Sequence, residues 1–191
     1  MLADLVKENR SCRRFHQDHF IDNSILRSLV DLARLSASAA NRQPLKYILS
    51  SDPSVNRSIF PCLAWAAYLK GWDGPEEGER PPAYIVILGD TAIASNFWCD
   101  HGIAAQTILL GAREIGLSGC MIGAVNKDKL KKVLNIPPHL EILLVLAIGK
   151  PSEACVIEPL GEDGDIRYWR DENGLHHVPK RSLNDIIYKT Y

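Results

Sequence analysis

Two basic clusters near opposite ends of the chain carry side chains suited to gripping an anion. Arg10, Ser11, Cys12, Arg13 and Arg14 form the first, and Lys180 with Arg181 forms the second. Arginine holds phosphate through paired hydrogen bonds, lysine adds a point charge and serine a short donor. If the fold brings the clusters together, Arg10, Ser11, Arg13 and Lys180 or Arg181 make a pocket for one phosphate, with Arg14 turned to solvent. Kept apart, each cluster is a solvated surface. Residues 36–44, SASAANRQP, form a third unusual stretch. Small side chains there let a ligand approach the backbone, and Asn41 and Gln43 each donate and accept hydrogen bonds. A helix end running into a turn would look the same.

Other chemistries find little support. There is no P-loop, no G-x-G-x-x-G and no G-x-S-x-G nucleophile elbow. Cys12, His16 and His19 fall short of a zinc site, which takes about four ligands or three and a water. His176 and His177 read as a surface turn. Five cysteines, odd in number and without a C-x-x-C pair, follow an N-terminus with no export-type apolar core. They are expected as free thiols in a reducing cytoplasm, where Cys12, between Arg10 and Arg13, is the most reactive candidate.

The 22 basic against 23 acidic residues leave a net charge of −1, which gives no broad attraction to nucleic acid or an anionic membrane. The longest apolar run, residues 142–148, is strand-length, far short of the roughly 18 residues of a membrane span. At 191 residues, 46% hydrophobic and 24% charged, the chain fits one ordinary domain spanning 1–191.

The elements that must position these groups follow from periodicity. A short helix covers residues 2–9, and Asp22, Asn23 and Ser24 offer N-cap oxygens to a second. Strands are expected at 45–49, 83–88, 118–122 and 141–148, and helices at 59–69, 96–115 and 127–134. The helix at 96–115 is apolar nearly all round, through Ile103, Ala104, Ala105, Ile108, Leu109, Leu110 and Ala112. Such a helix sits at the centre of a core or at a subunit interface, and the interface is preferred here. Residues 150–178 read as polar turns. Helices and strands mix without βαβα alternation, which favours α+β.

The order of these pieces resembles the nitroreductase family of flavoproteins. NRSCRRF (9–15) is similar to the family's opening basic motif, and SASAANRQPLKYI (36–48) to its small-residue loop. DHGIAAQTILLGAREIGLSGCMIG (100–123) resembles its apolar helix, Gly-Leu-Gly and short strand ending in Ile-Gly. LKKVLNIPPHLEILLVLAIGKP (130–151) and VPKRSLNDII (178–187) resemble its later motifs. Three positions depart from the pattern: Asn9 replaces an arginine, Ala37 a proline and Leu45 a tryptophan.

The resemblance implies an α+β fold with a central, mainly antiparallel sheet flanked by helices, in a homodimer with FMN at the interface. It implies electron transfer from NADH or NADPH through the flavin to a nitroaromatic, quinone or similar small acceptor. Arg10, Ser11, Arg13, Lys180 and Arg181 would then meet the phosphate, and Ser38, Ala39 and Asn41 the ring. Backbone N–H groups at Ile122 and Gly123 would face its N5/O4 edge. The flavin carries the chemistry, so no acid–base triad is required. The alternative is a non-catalytic flavin-binding protein or a subunit of a larger redox assembly.

Overall fold

Eight consecutive residues, Ala83–Asp90, are buried without interruption, as a strand covered on both faces requires. In the computed structural model, which describes residues 1–191, this strand (β2) lies near the middle of a four-stranded sheet. Its neighbours are β1 (Leu45–Ser50) and β4 (Leu140–Gly149), and β3 (Ser118–Ile122) completes the order β1-β2-β4-β3. Every pairing in this sheet is antiparallel, with Tyr47 opposite Ile87, Tyr84 opposite Ala147 and Cys120 opposite the same Ala147. The expected α+β class with a mainly antiparallel sheet is therefore the observed one.

Alternation along the strands splits the core in two. Ile85, Ile87, Leu146 and Ile148 face α2 (Asn23–Arg34) and α4 (Asp100–Glu114). Tyr84, Val86, Val145, Ala147, Cys120 and Ile122 face Phe15, Ile59, Trp65 and Leu130. α1 (Leu2–Glu8) precedes this core. The Asp22 side chain caps α2 by accepting from Ser24 N–H.

Several sequence expectations need correction. The core takes most of α4's apolar face: Ala104, Ala105, Ile108, Leu109 and Ala112 are buried against the sheet and α2 within this one chain. Ile103 is exposed and Leu110 half-buried. α4 also starts at Asp100 rather than near 96, because the Asn96 side chain takes Trp98 N–H and Trp98 adopts φ 45°. No helix spans 59–69. Instead α3 (Pro53–Ile59), capped by Asp52, runs into a single tight turn through Pro61, and Ala66 with φ 30° ends any helical path.

The stretch read as polar turns holds three strands. After α5 (Lys127–Val133) and β4, β5 (Cys155–Pro159), β6 (Trp169–Arg170) and β7 (His176–Lys180) form a small sheet in the order β5-β7-β6. β5 and β7 are parallel, while β6 and β7 are antiparallel. The chain closes with α6 (Leu183–Ile186), and no helix is long and apolar enough to cross a membrane.

Candidate functional site

The outer edge of β3 sets the position of the first basic cluster. Residues 10–15 run beside it: Ser11 bridges Gly119, Cys12 N–H donates to Gly119 O at 3.0 Å, and Phe15 bridges Pro151. Phe15 is fully buried, which anchors the far end of this segment. The second cluster arrives on β7, whose last residue is Lys180.

The two clusters meet. A cavity of about 290 Å³ is lined by Asn9, Arg10, Ser11, Arg13 and Lys180, together with His176 and Val178 of β7 and Tyr168 just before β6. Gln106 and Leu109 of α4 and Met121 of β3 complete it, and no carboxylate is among the lining residues. Arg10 is steadied by α1, its Nη2 donating to Val6 O at 2.7 Å. Arg181 lies one residue beyond β7, exposed and outside the lining. Arg14 is not free in solvent, since its Nε pairs with Glu79 at 3.2 Å.

Arg13 is held from three sides. Its Nη1 donates to Ser11 O at 3.3 Å and lies 3.3 Å from His176 Nε2, and its guanidinium stacks 4.8 Å over the Tyr168 ring. Arginine has no acceptor, so His176 Nε2 accepts and Nδ1 carries the proton. That Nδ1 is buried and has no partner. Burial, chiefly, pushes the His176 pKa down to about 4, with Arg13 and Arg170 adding to the fall and Glu153 opposing it. The residue is therefore neutral near pH 7, and it is no surface turn: it is 1% exposed. His177 beside it is bonded to Glu158 at 2.8 Å, a contact that raises its pKa.

Arg13, Met121 and Tyr168 also line a second, mainly apolar cavity of about 240 Å³. Ile122, Gly123, Ala124 and Trp65 are among its walls. Gly123 follows the last residue of β3, and its N–H makes no hydrogen bond within the chain. The two cavities thus share a wall, one cationic and the other apolar.

The small-residue loop lies elsewhere. Ser38 Oγ donates to Asp100 Oδ2 at 2.6 Å, and Ala39 N–H donates to Asp100 Oδ1 at 3.0 Å. Ala40, Asn41 and Gln43 all have φ 51°, and Gln43 Nε2 reaches back to Asn41 Oδ1 at 3.1 Å. Ser38 lines a separate cavity of about 190 Å³ with Tyr47, Asp100 and Ala104, while Ala39 and Asn41 line none of these three. Within one chain the loop and the basic cluster do not share a cavity.

Cys12, Cys62 and Cys120 are packing residues in this arrangement, while Cys99 is exposed. Cys12 and Cys120 are 2% and 4% exposed, and burial is the main cause raising both thiol pKa values, so Cys12 is not the reactive thiol its basic neighbours suggest. His16 and His19 are exposed while Cys12 is buried, and no group of three His, Cys, Asp or Glu side chains is placed to hold a metal. Sequence reading missed Glu153, Tyr168 and Arg170 altogether. Their only signal is the alternation of charged and aromatic residues in a segment rich in turn formers.

Comparison with known proteins agrees with this architecture. The nitroreductase family model matches residues 6–150. The chain belongs to the nitroreductase family. It is 24% identical over 170 residues to the FMN reductase (NADPH) of Bacillus subtilis, covering 82% of this chain and 68% of that protein. A nitroreductase family protein from Streptococcus pneumoniae superposes with a TM-score of 0.71 at 18% identity over the full length of both chains. An FMN-dependent nitroreductase from Clostridium difficile gives 0.64 at 21% identity, covering 78% of this chain and 86% of that one. Nitroreductase family membership makes this chain a flavin oxidoreductase in general terms. The matched span ends at residue 150, so the small sheet lies outside it.

Proposed function

We propose that the whole chain, residues 1–191, is one FMN-binding oxidoreductase unit that passes electrons from NADH or NADPH to a small acceptor such as a nitroaromatic or a quinone. The observation that carries this reading is the cationic cavity, free of carboxylates, opening through Arg13 onto an apolar one. Arg10, Ser11, Arg13 and Lys180 hold the phosphate, with Lys180 rather than Arg181 supplying the second cluster's charge. The donor set fits: Arg10 Nε is buried without a partner, and neither Nε nor Nη2 of Arg13 meets a protein oxygen. A buried unpaired donor such as Arg10 Nε is costly unless a ligand meets it.

Bound FMN supplies the hydride acceptance and electron delivery. The protein's part is to bind, orient and shield. The apolar walls at Trp65, Ile122 and Ala124 exclude water from the ring, and the unpaired Gly123 N–H is a donor for its polar edge. Five free thiols suit a reducing, cytoplasmic setting.

Ser38, Ala39 and Asn41 line neither cavity of this chain, so a contact of theirs with the ring would come from a second copy in a homodimer. Surface area supports it too. The chain exposes 11192 Å², against roughly 9,100 Å² for a compact monomer of this mass.

The test is an anaerobic titration of the purified protein with NADH and then NADPH, followed at the flavin absorbance. Bleaching, and its reversal by a nitroaromatic or a quinone, is the expected result. Protein that retains FMN but does not bleach is the non-catalytic alternative, and protein with no affinity for FMN defeats the reading outright.

A further inference from the structure

The Glu153 side chain is 2% exposed and accepts from four donors. Its Oε1 takes the backbone N–H groups of Arg13 and, at 3.2 Å, Arg14. Its Oε2 takes Nε and Nη2 of Arg170 at 3.0 and 2.8 Å. Arg170 is itself stacked 4.4 Å over Trp72. The carboxylate therefore ties the backbone of the basic cluster to β6, which pairs with β7 through Arg170 and His176. His176 and Tyr168 then meet the guanidinium of Arg13 at the other end of the same residue. Arg13 is gripped at both backbone and side chain by the segment beyond residue 150.

We propose that Glu153 is a positioning residue. It fixes the Arg13 backbone so that the guanidinium, backed by His176 and Tyr168, presents its Nε and Nη2 donors to a phosphate monoester. The inference rests on the flavin reading above and goes further, naming the group through which the small sheet controls phosphate recognition. An amide in place of this carboxylate must turn a donor towards either the two backbone N–H groups or the Arg170 fork. One end of the tie is then lost.

Full-length apoprotein titrated with FMN and with riboflavin, which lacks the phosphate, tests this by flavin-fluorescence quenching. Glu153→Gln should raise the FMN Kd about tenfold, while leaving the riboflavin Kd within about twofold of wild type. In an Arg13→Gln background the same change should alter the FMN Kd by less than about twofold, because both act through one group. An unchanged FMN Kd, equal weakening of both flavins, or fully multiplicative effects in the double variant each overturn the proposal. If Glu153→Gln does not fold, Arg170→Gln keeps the backbone bonds to Glu153 while cutting the link to β6. It should show the same split between flavins at about threefold, and equal effects on both overturn the proposal. Wild-type protein binding FMN no better than riboflavin would instead defeat the phosphate site itself.

Discussion

His176 and His177 are neighbours in β7 whose protonation has opposite effects on stability. The folded-state pKa of His176 lies near 4, below its ordinary 6.5. Between those values the unfolded chain binds more protons, so the contribution of His176 is complete above about pH 6.5 and is lost as pH falls towards 4. The loss reaches about 3 kcal/mol. His177 is raised by its bond to Glu158, so its contribution is present below pH 6.5 and fades as pH rises through the raised value. Melting curves between pH 4.5 and 7.5 should show wild type falling more steeply on the acid side than His176→Gln. Parallel curves would mean that His176 is not buried as a neutral base. None of this was legible beforehand, because a histidine pair among glycines and charges has the composition of a turn.

Element by element, legibility followed burial. β2 and β4 announce themselves as apolar runs because both their faces are covered, and α2 because its Asp22 cap and apolar spacing agree. β5, β6 and β7 have mostly half-covered faces and carry Glu158, Arg170 and Lys180, so no apolar run betrays them. The basic cluster was legible as a phosphate grip, but Glu153, which sets its backbone, was not, since a lone carboxylate has no periodic signal. Most of the all-round apolar character of α4 is taken up by packing between the sheet and α2, with Ile103 left exposed. Gly119 shows how closely α4 and the strands approach. A Cβ there would sit 2.5 Å from Ala147 O and 2.6 Å from Leu109 Cδ2. The carbonyl belongs to the paired strand and cannot swing away, so Gly119→Ala should cost about 1–3 kcal/mol. Urea unfolding at unchanged m-value checks it, and a loss below a few tenths of a kcal/mol would contradict the packing.

At the scale of the whole molecule, the homodimer proposed above needs an exposed apolar surface beside the small-residue loop, and one is present. Leu35 and Ile103 are 67% and 36% exposed, and Ser36 and Thr107 bond at 3.0 Å between α2's end and α4. This surface adjoins the loop at Ser38, whose partner Asp100 opens α4. Ile103→Asp should therefore dissociate a homodimer while leaving the monomer folded, since an exposed site pays little for a charge in water but heavily when covered. Sedimentation velocity with far-ultraviolet circular dichroism separates the two effects. A dimer that survives the substitution would place the interface elsewhere.

The meeting of Arg10, Ser11 and Lys180 in one cavity also has a consequence in time. Lys180 lies 170 residues after Arg10 in the chain. At ~5–20 residues per second, translation separates them by roughly 10–30 s. The four strands of the central sheet are complete in sequence at Gly149, before β7 is made, yet on the reading proposed above a chain ending there has no complete grip for a phosphate. On that reading flavin capture waits until β7 has been made. A frameshift after β4 would yield a chain that keeps its four-stranded sheet and remains colourless.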